Sequence, residues 1–374
     1  MEPLNAIAAA THPDPYPYYR RLLAGSALVF DEGLGLWIAS RAAVVAEVMA
    51  NPHCQVRPVA EAVPDALAGS SAGAVFARLA RMNDGAPHAQ AKHAIGIALG
   101  SVDMALAGRR SVQLARTLTF PDGAAVTRWL FDLPTFVVAH LLGFDETELP
   151  QVAQWTADFV RCLSPLSTPG QLASASIAAL ALRERIAQLL ETGRPDSLAR
   201  RAAQLGWADT DALIANLVGL LSQTHEATAG LIGNCIVALL AQPAMQARLR
   251  ADASLAGAFV HEVARADPPV QNTRRFVAQA TSVAGVRLQP GNTVLLLLAA
   301  ASHDPGAGQA MPGFGHGRHA CPGQALAFTI ATGAVQHLLS LPHPLDPQAL
   351  GWTYAPSVNA RLPLFFNVSA KGQS

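Results

Sequence analysis

One glycine-rich stretch of the chain holds a cysteine in a setting suited to binding a metal. It runs from Phe314 to Gly323 and places Cys321 directly before a segment with helical periodicity. Its glycines let the backbone turn tightly and approach a flat ligand closely. We predict that the helix begins at Pro322, so that its N-terminus and free backbone N–H groups stabilise the Cys321 thiolate.

Two basic residues beside this cysteine, Arg318 and His319, offer donor groups for carboxylates. A plainer interpretation is a glycine-rich loop around a buried free cysteine, since unpaired cysteines often serve as small core residues. That interpretation suits Cys54, Cys162 and Cys235. It does not account for a Phe, three Gly, a His and a Cys in the order found here.

The stretch 314–323 resembles, position by position, the haem-binding loop of the cytochrome P450 family, Phe-Gly-x-Gly-x-His-x-Cys-x-Gly. Four other segments resemble the family in the expected order. They are the His-x-x-x-Arg helix at 84–93, the Glu-x-x-Arg helix at 261–265, the strand after it at 268–275 and the Asp-Pro pair at 304–305. The resemblance therefore covers nearly the whole chain, in the style of the soluble bacterial members.

The resemblance implies one haem b per chain, with Cys321 as the axial ligand of the iron. A thiolate in that position pushes electron density onto the iron and favours O–O cleavage. Within the same loop, the resemblance implies cofactor contacts for Phe314, Gly315 and Gly323.

The resemblance assigns the haem propionates to His88, Arg275 and His319. The family's strand usually reads Thr-x-Arg, which selects Arg275. Arg274 should then point to the other face, because strand side chains alternate. Lys92 stands where the family usually has Arg, which keeps the charge but loses the bidentate fork. The alternative for each of these residues is an ordinary exposed basic side chain.

Structural and substrate-binding residues are implied as well. Glu262 and Arg265 lie about one helical turn apart, a spacing at which a carboxylate and a guanidinium meet. We expect them to brace the core behind the haem. Substrate contacts are expected from the long helix, the loop 56–80, Gln271, Asn272 and Ser357.

The long helix departs from the family pattern Ala-Gly-x-Glu/Asp-Thr. Aligned on Glu226, the Ala-Gly pair becomes Gln223 and Thr224, and the threonine that helps deliver protons becomes Ala227. Gln223 and Thr224 precede Ala227 by about one helical turn, so they share its face and are expected to supply the missing polarity. Helix–helix hydrogen bonding by these two side chains is the alternative. Our candidate catalytic residues are Gln223, Thr224, Glu226 and Ala227.

A second departure is a deletion. Only eight residues, 306–313, separate Pro305 from Phe314, where the family has a much longer meander. The meander arginine that normally joins the Glu-x-x-Arg pair has no counterpart among them. We expect an altered surface where an electron donor docks.

Bulk composition excludes several classes of protein. The chain has 26 basic residues (Lys and Arg) and 26 acidic residues (Asp and Glu), so it is formally neutral. It also has no basic block, and a nucleic-acid-binding surface is therefore not expected. The apolar run 294–301 is too short to cross a bilayer, and 1–11 lacks the pattern of a signal peptide. Four scattered cysteines indicate reduced thiols. We expect a soluble cytoplasmic protein without membrane contact.

Helical periodicity dominates the chain. The patterns predict the following elements: a helix at 14–23, a hairpin at 27–40, a partly helical loop at 58–84, a series of helices over 87–211, one long buried helix at 211–242, a helix at 254–266, strands over 270–299, a helix at 322–341 and a strand pair at 352–368. We predict one mainly α-helical domain over 1–374 with small β-sheets. The haem should lie between the long helix and the Cys321 loop.

These expectations favour a haem-thiolate monooxygenase that inserts one oxygen atom of O2 into a small or carrier-bound organic substrate, in secondary metabolism. Electrons would come from a ferredoxin-type donor. The alternative is a haem-thiolate enzyme with other chemistry, either peroxide-dependent oxidation or rearrangement or dehydration of a nitrogen-bearing substrate. A haem-binding sensor ranks third, because no dedicated partner domain is found in the sequence.

Overall fold

A computed structural model describes residues 2–61, 63–119, 122–343 and 345–368 of the chain. These residues form fourteen α-helices. Their bounds are α1 Tyr16–Ala24, α2 Ala42–Ala50, α3 Ser71–Arg78, α4 Gly85–Gly100, α5 Met104–Ala115, α6 Gly123–Leu142, α7 Leu149–Val160, α8 Pro169–Thr192, α9 Leu198–Ala203, α10 Thr210–Ala241, α11 Pro243–Ala251, α12 Ala256–Ala266, α13 Leu298–Ser302 and α14 Gln324–Ser340.

Nine short strands form three sheets within the described ranges. The strands are β1 Leu28–Asp31, β2 Leu36–Ala39, β3 Cys54–Gln55, β4 Thr273–Val277, β5 Thr281–Val283, β6 Val286–Leu288, β7 Thr293–Leu296, β8 Leu350–Tyr354 and β9 Pro363–Asn367. The largest sheet has the order β1-β2-β7-β4-β3, in which only the β2–β7 pair is parallel. Two antiparallel pairs, β5–β6 and β8–β9, complete the set.

Helix α10 runs for 32 residues through the largest hydrophobic cluster. Asp209 caps its first turn by accepting a hydrogen bond from the Ala212 N–H at 2.6 Å. Farther along, Gly230 lets the helix lie against the segment before β4, because a Cβ there would stand 2.7 Å from Pro269 Cβ. The predicted long buried helix is thus confirmed.

Helices α6 and α10 are each long and apolar enough to span a bilayer by length and composition. However, 61% and 67% of their most apolar windows are buried against other parts of this fold. Their apolar character therefore serves helix packing, as in the core of a large helical protein.

The fold class and most of the predicted elements are confirmed. The chain is mainly helical, 27–40 is a hairpin, and the loop 58–84 contains α3. One helix start is wrong in detail. Helix α14 begins at Gln324 with Gly323 as its N-cap, so Pro322 precedes the helix in a turn.

Candidate active site

The loop before α14 is closed by its own backbone. The Cys321 N–H donates to the Phe314 carbonyl at 2.7 Å, which folds the stretch back on itself. Gly315 has φ +77° and would place a Cβ 2.7 Å from the His319 carbonyl oxygen, while Gly317 has φ +58°. Both positions therefore require glycine, for the tight turning that the sequence suggested.

Electrostatics around the Cys321 thiol differ from our expectation. Burial raises the pKa of Cys321, and this outweighs the lowering by the Gly323 N–H group, Lys92 and Arg81. The expected lowering by a backbone N–H group is therefore present, but burial outweighs it. A bound metal ion deprotonates a coordinating thiol directly, so this cysteine suits a ligand role.

Three residues share an unusual setting. Cys321, Arg81 and Glu226 are each surrounded by protein, yet each has an accessible side chain. We infer from this combination that the three side chains line one internal cavity. Glu226 and Cys321 also both lie within electrostatic range of the Arg81 guanidinium. The cavity thus lies between α10 and the Cys321 loop, where the haem was expected.

The middle of α10 turns one polar face towards this cavity. Gln223, Thr224 and Ala227 are partly accessible, whereas Ser222 and Thr228 are buried. Gln223 Nε2 donates to the Gly219 carbonyl of its own helix at 3.0 Å. The amide nitrogen is therefore already engaged.

On that face, the Thr224 hydroxyl makes no hydrogen bond to any group in the described part of the chain. Glu226 likewise has no ion pair there. Burial raises the pKa of Glu226, although Arg81 and Arg161 lower it. His225 points away from the cavity, with Nδ1 3.2 Å from Thr135 Oγ1, and burial lowers its pKa to about 4.

Strand β4 separates its two arginines as predicted. Arg275 is buried at 5% exposure, whereas Arg274 is exposed on the opposite face. Arg275 Nη1 bonds only to its own strand, and its Nε has no hydrogen-bond partner among the described residues. Burial lowers the pKa of Arg275 to about 10. An unsatisfied buried guanidinium fits an anionic partner such as a haem propionate.

The two histidines assigned to propionates have protein partners. His88 is buried, with Nδ1 2.8 Å from the Ala80 carbonyl and Nε2 3.0 Å from the Arg318 carbonyl. A neutral imidazole can donate to only one of these carbonyls, so the propionate assignment of His88 stays a prediction. His319 Nε2 lies 3.1 Å from Asp84 Oδ1, which leaves only Nδ1 for another group.

Asp84 organises this side of the site. Its carboxylate accepts from the Val56 N–H at 2.8 Å and contacts His319 and Arg318. Burial alone would raise the pKa of Asp84, but the hydrogen bonds from His319 and Val56 and the charge of Arg318 lower it to about 2.

Lys92 and Phe314 support the Cys321 loop. Lys92 Nζ donates to the Ala320 carbonyl, so its charge lies against the backbone next to the cysteine. Burial lowers the pKa of Lys92, and Cys321 raises it. The Phe314 ring packs 5.1 Å from the Phe328 ring, which stacks at 3.7 Å on His261.

Two of the expected substrate contacts are corrected. Gln271 is fully buried, accepts from Tyr19 Oη at 2.9 Å and donates to the Pro268 carbonyl at 2.7 Å. Asn272 is 2% exposed and donates to the Val358 carbonyl. Both side chains hold the backbone together and do not face the cavity.

Ser357 and the loop 56–80 have mixed outcomes. Ser357 is partly accessible, but its Oγ accepts from the Ala360 N–H at 2.9 Å in the turn between β8 and β9. Within the loop 56–80, Ala62 lies outside the described residues.

The expected pair Glu262 and Arg265 does not form. Both side chains are exposed, and neither has an ion-pair partner within the described ranges. The shortened connection 306–313 supplies no arginine to join them, as the sequence indicated. Without that connection, His261 and Phe328 border a surface groove of about 690 Å³.

Sequence reasoning missed Arg81 and Arg161. Arg81 lies in a short 3₁₀ helix, Ala80–Met82, and Arg161 begins another, Arg161–Leu163. The available signal was a charge inside an apolar run, since Arg81 interrupts a segment of Phe, Ala, Leu and Met.

Comparisons with known proteins give relatives in sequence and in structure. The chain is 30% identical over 249 residues to cytochrome P450 144 of Mycobacterium tuberculosis, covering 61% of this chain and 57% of that protein. It is 32% identical over 274 residues to cytochrome P450 107B1 of Saccharopolyspora erythraea, covering 67% and 63%. The aligned region thus spans about three fifths of these relatives. No family model matches the chain.

Solved structures show the same fold over nearly the full length. P450BioI in complex with an acyl carrier protein ligated to hexadec-9Z-enoic acid superposes with a TM-score of 0.80 at 21% identity, covering 95% of this chain and 98% of that one. CalO2 also gives 0.80, at 22% identity and with 96% and 97% coverage.

The depressed pKa of Asp84 predicts a loss of stability in acid. A carboxylate with a folded pKa near 2 and an unfolded value near 3.8 stabilises the fold above pH 4, and this contribution disappears as the pH falls through 2. Asp84→Asn should lower the free energy of unfolding by roughly 1–3 kcal/mol at pH 7. Urea denaturation at pH 7 and pH 3 measures the difference, which should shrink at pH 3. An equal loss at both pH values would contradict the ionic role.

Proposed function

The chain belongs to the cytochrome P450 family, and on that premise we propose that it is a haem-thiolate monooxygenase that inserts one oxygen atom of O2 into an organic substrate. The observation that carries the proposal is the closed loop 314–323, which places Cys321 on the wall of a cavity opposite a polar face of α10. Proteins of this family bind one haem b per chain.

The residues present fit that cofactor. Cys321 would ligate the iron, Arg275 would bind a propionate, and the glycines of the loop allow close approach of a flat ring. When bound, the haem supplies the iron at which O2 is activated. The protein's own part is to hold the ring, to enclose the cavity and to deliver protons.

Proton delivery falls to the cavity face of α10. Ala227 has no hydroxyl, and Gln223 is engaged by Gly219. Thr224 Oγ1 therefore offers the free donor on that face, with the Glu226 carboxyl two residues on. Since burial raises the pKa of Glu226, this carboxyl is a second proton source, acting through a water molecule because side chains two apart on a helix do not meet.

Partners and location follow from the same proposal. Electrons would come from a ferredoxin-type donor, and the substrate is a small molecule or an acyl group on a carrier protein. The carrier option is supported by the P450BioI complex, which contains a ligated acyl carrier protein. We place the enzyme in the cytoplasm, within secondary metabolism, as one domain over 1–374.

Two observations favour a second candidate, a haem-thiolate enzyme without conventional monooxygenase chemistry. Ala227 replaces the usual threonine, and the shortened connection leaves Glu262 and Arg265 exposed on the surface. Such an enzyme would use peroxide, or would rearrange or dehydrate a nitrogen-bearing substrate. Turnover that requires both O2 and a reductase supports the first candidate, and equal turnover with peroxide alone supports the second.

Thiolate ligation predicts a specific spectrum. The reduced, CO-bound protein should show the red-shifted Soret band of thiolate-ligated haem, and Cys321→Ser should abolish it. Cys54→Ser, at a buried cysteine in β3, is the matched control and should retain the band. A red-shifted band that persists in Cys321→Ser would disprove the ligand assignment.

If Arg275 binds a haem propionate, variants at the two arginines of β4 should differ in their rate of haem loss. Arg275→Ala should lose haem at least tenfold faster than the wild type, because a charge-assisted hydrogen bond of about 1.5–3 kcal/mol is removed. Arg274→Ala, exposed on the other face, should match the wild type. Haem transfer to an excess of apomyoglobin gives both rates. Equal rates in the two variants would remove Arg275 from the propionate site.

Proton delivery by the α10 face predicts a change in coupling. Thr224→Val should reduce product formed per NAD(P)H about tenfold, equivalent to roughly 1.4 kcal/mol on the barrier, with more peroxide released. Gln223→Ala should have the smaller effect, since Gln223 Nε2 already bonds to Gly219. Parallel assays of product, NAD(P)H and peroxide decide the matter. Unchanged coupling in both variants would leave protons supplied by the substrate.

A further inference from the structure

We propose that Arg81 binds the carboxylate of a free organic acid and thereby selects the substrate class of this enzyme. The inference rests on the proposed function and adds to it the chemical nature of the substrate. It begins from an arginine on the cavity wall that lacks a protein partner.

The backbone around Arg81 is fixed to α10. The Ala80 N–H donates to Asn216 Oδ1 at 2.9 Å, and Asn216 Nδ2 donates to the Arg78 carbonyl at 2.9 Å. Asn83 Nδ2 closes the turn on the Leu79 carbonyl at 2.8 Å. Buried hydrogen bonds thus hold the segment on both sides of Arg81, and its side chain enters the cavity from a rigid base.

The guanidinium of Arg81 makes no hydrogen bond or ion pair with any residue that the structure describes. Three neighbouring arginines do have partners: Arg57 donates to Asn83, Arg78 pairs with Asp209, and Arg318 contacts Asp84. The Arg81 side chain is accessible, so its donors are open to a ligand. Five donors in a planar fork match a carboxylate that enters the same cavity.

The charge balance of the cavity also favours an anion. Arg161 lies within electrostatic range of Glu226 and likewise has no hydrogen bond or ion pair from its side chain to the described residues. His225 is neutral at physiological pH, since burial lowers its pKa to about 4. Arg81 and Arg161 therefore give the surroundings of Glu226 a surplus of positive charge, which favours an anionic ligand.

The positive charge of Arg81 would favour a free acid over an acyl group on a carrier protein. A thioester or an ester has no carboxylate, so it gains nothing from Arg81. The haem propionates are the other anions available to this arginine, and Arg275 already offers them a buried unsatisfied guanidinium. The geometry accordingly assigns Arg81 to the substrate.

The test compares acids with their uncharged esters. Dodecanoate, 4-phenylbutanoate and the two methyl esters are titrated into the haem-loaded enzyme, with Kd taken from the Soret shift and from calorimetry. At least one acid should bind at least tenfold more tightly than its ester. Arg81→Gln should weaken that acid roughly 10- to 100-fold and leave the ester unchanged. Arg81→Lys, which keeps the charge, should fall between.

Arg78→Gln is the matched control, three residues earlier on the same segment and paired at the surface, and it should change neither affinity. Acids that bind no better than esters, or an equal loss for both in Arg81→Gln, would overturn the proposal. Haem loss from Arg81→Gln with acid preference intact would assign Arg81 to a propionate and also overturn it. The CO spectrum of the same wild-type preparation tests the haem-thiolate assignment separately, so either idea can fail alone.

Discussion

The carboxylate of Asp84 joins three distant parts of the chain at one point. It binds the Val56 amide before α3, and Arg318 and His319 in the cysteine loop. Arg318 then continues to the Cys54 and Asn51 carbonyls, so the cysteine loop is fixed against α2 and β3. The position of Cys321 relative to the rest of the cavity depends on this one carboxylate and its partners.

One wall of the cavity is polar, although the protein around it is largely apolar. The long helix α10 is buried on most of its surface, yet its middle presents Gln223, Thr224 and Glu226 to the cavity. Asn216, farther towards the start of the helix, fixes the segment that carries Arg81. The same helix therefore supplies both the structural support of the fold and the polar groups that we propose for proton delivery.

Much of this could be predicted from the sequence, because the deciding signals are local. The cysteine loop is a contiguous motif, the long helix has a continuous apolar pattern, and alternation along β4 separates Arg275 from Arg274. What failed depends on distant contacts. Gln271 is withdrawn from the cavity by Tyr19, which is 252 residues away, and Asn272 is held by the Val358 carbonyl. Neither contact can be predicted from the residues that are adjacent to these side chains in the sequence.

The contact between Asp84 and Arg318 has a consequence for how the protein is made. Its partners are 234 residues apart in the chain. A ribosome adds roughly 5–20 residues per second, so roughly 10–50 s separate the synthesis of the two residues. During that interval the N-terminal half of the cavity wall is already emerging, with its charged groups uncompensated. A cofactor that binds through Cys321 can therefore be held only after this late segment of the chain has been synthesised.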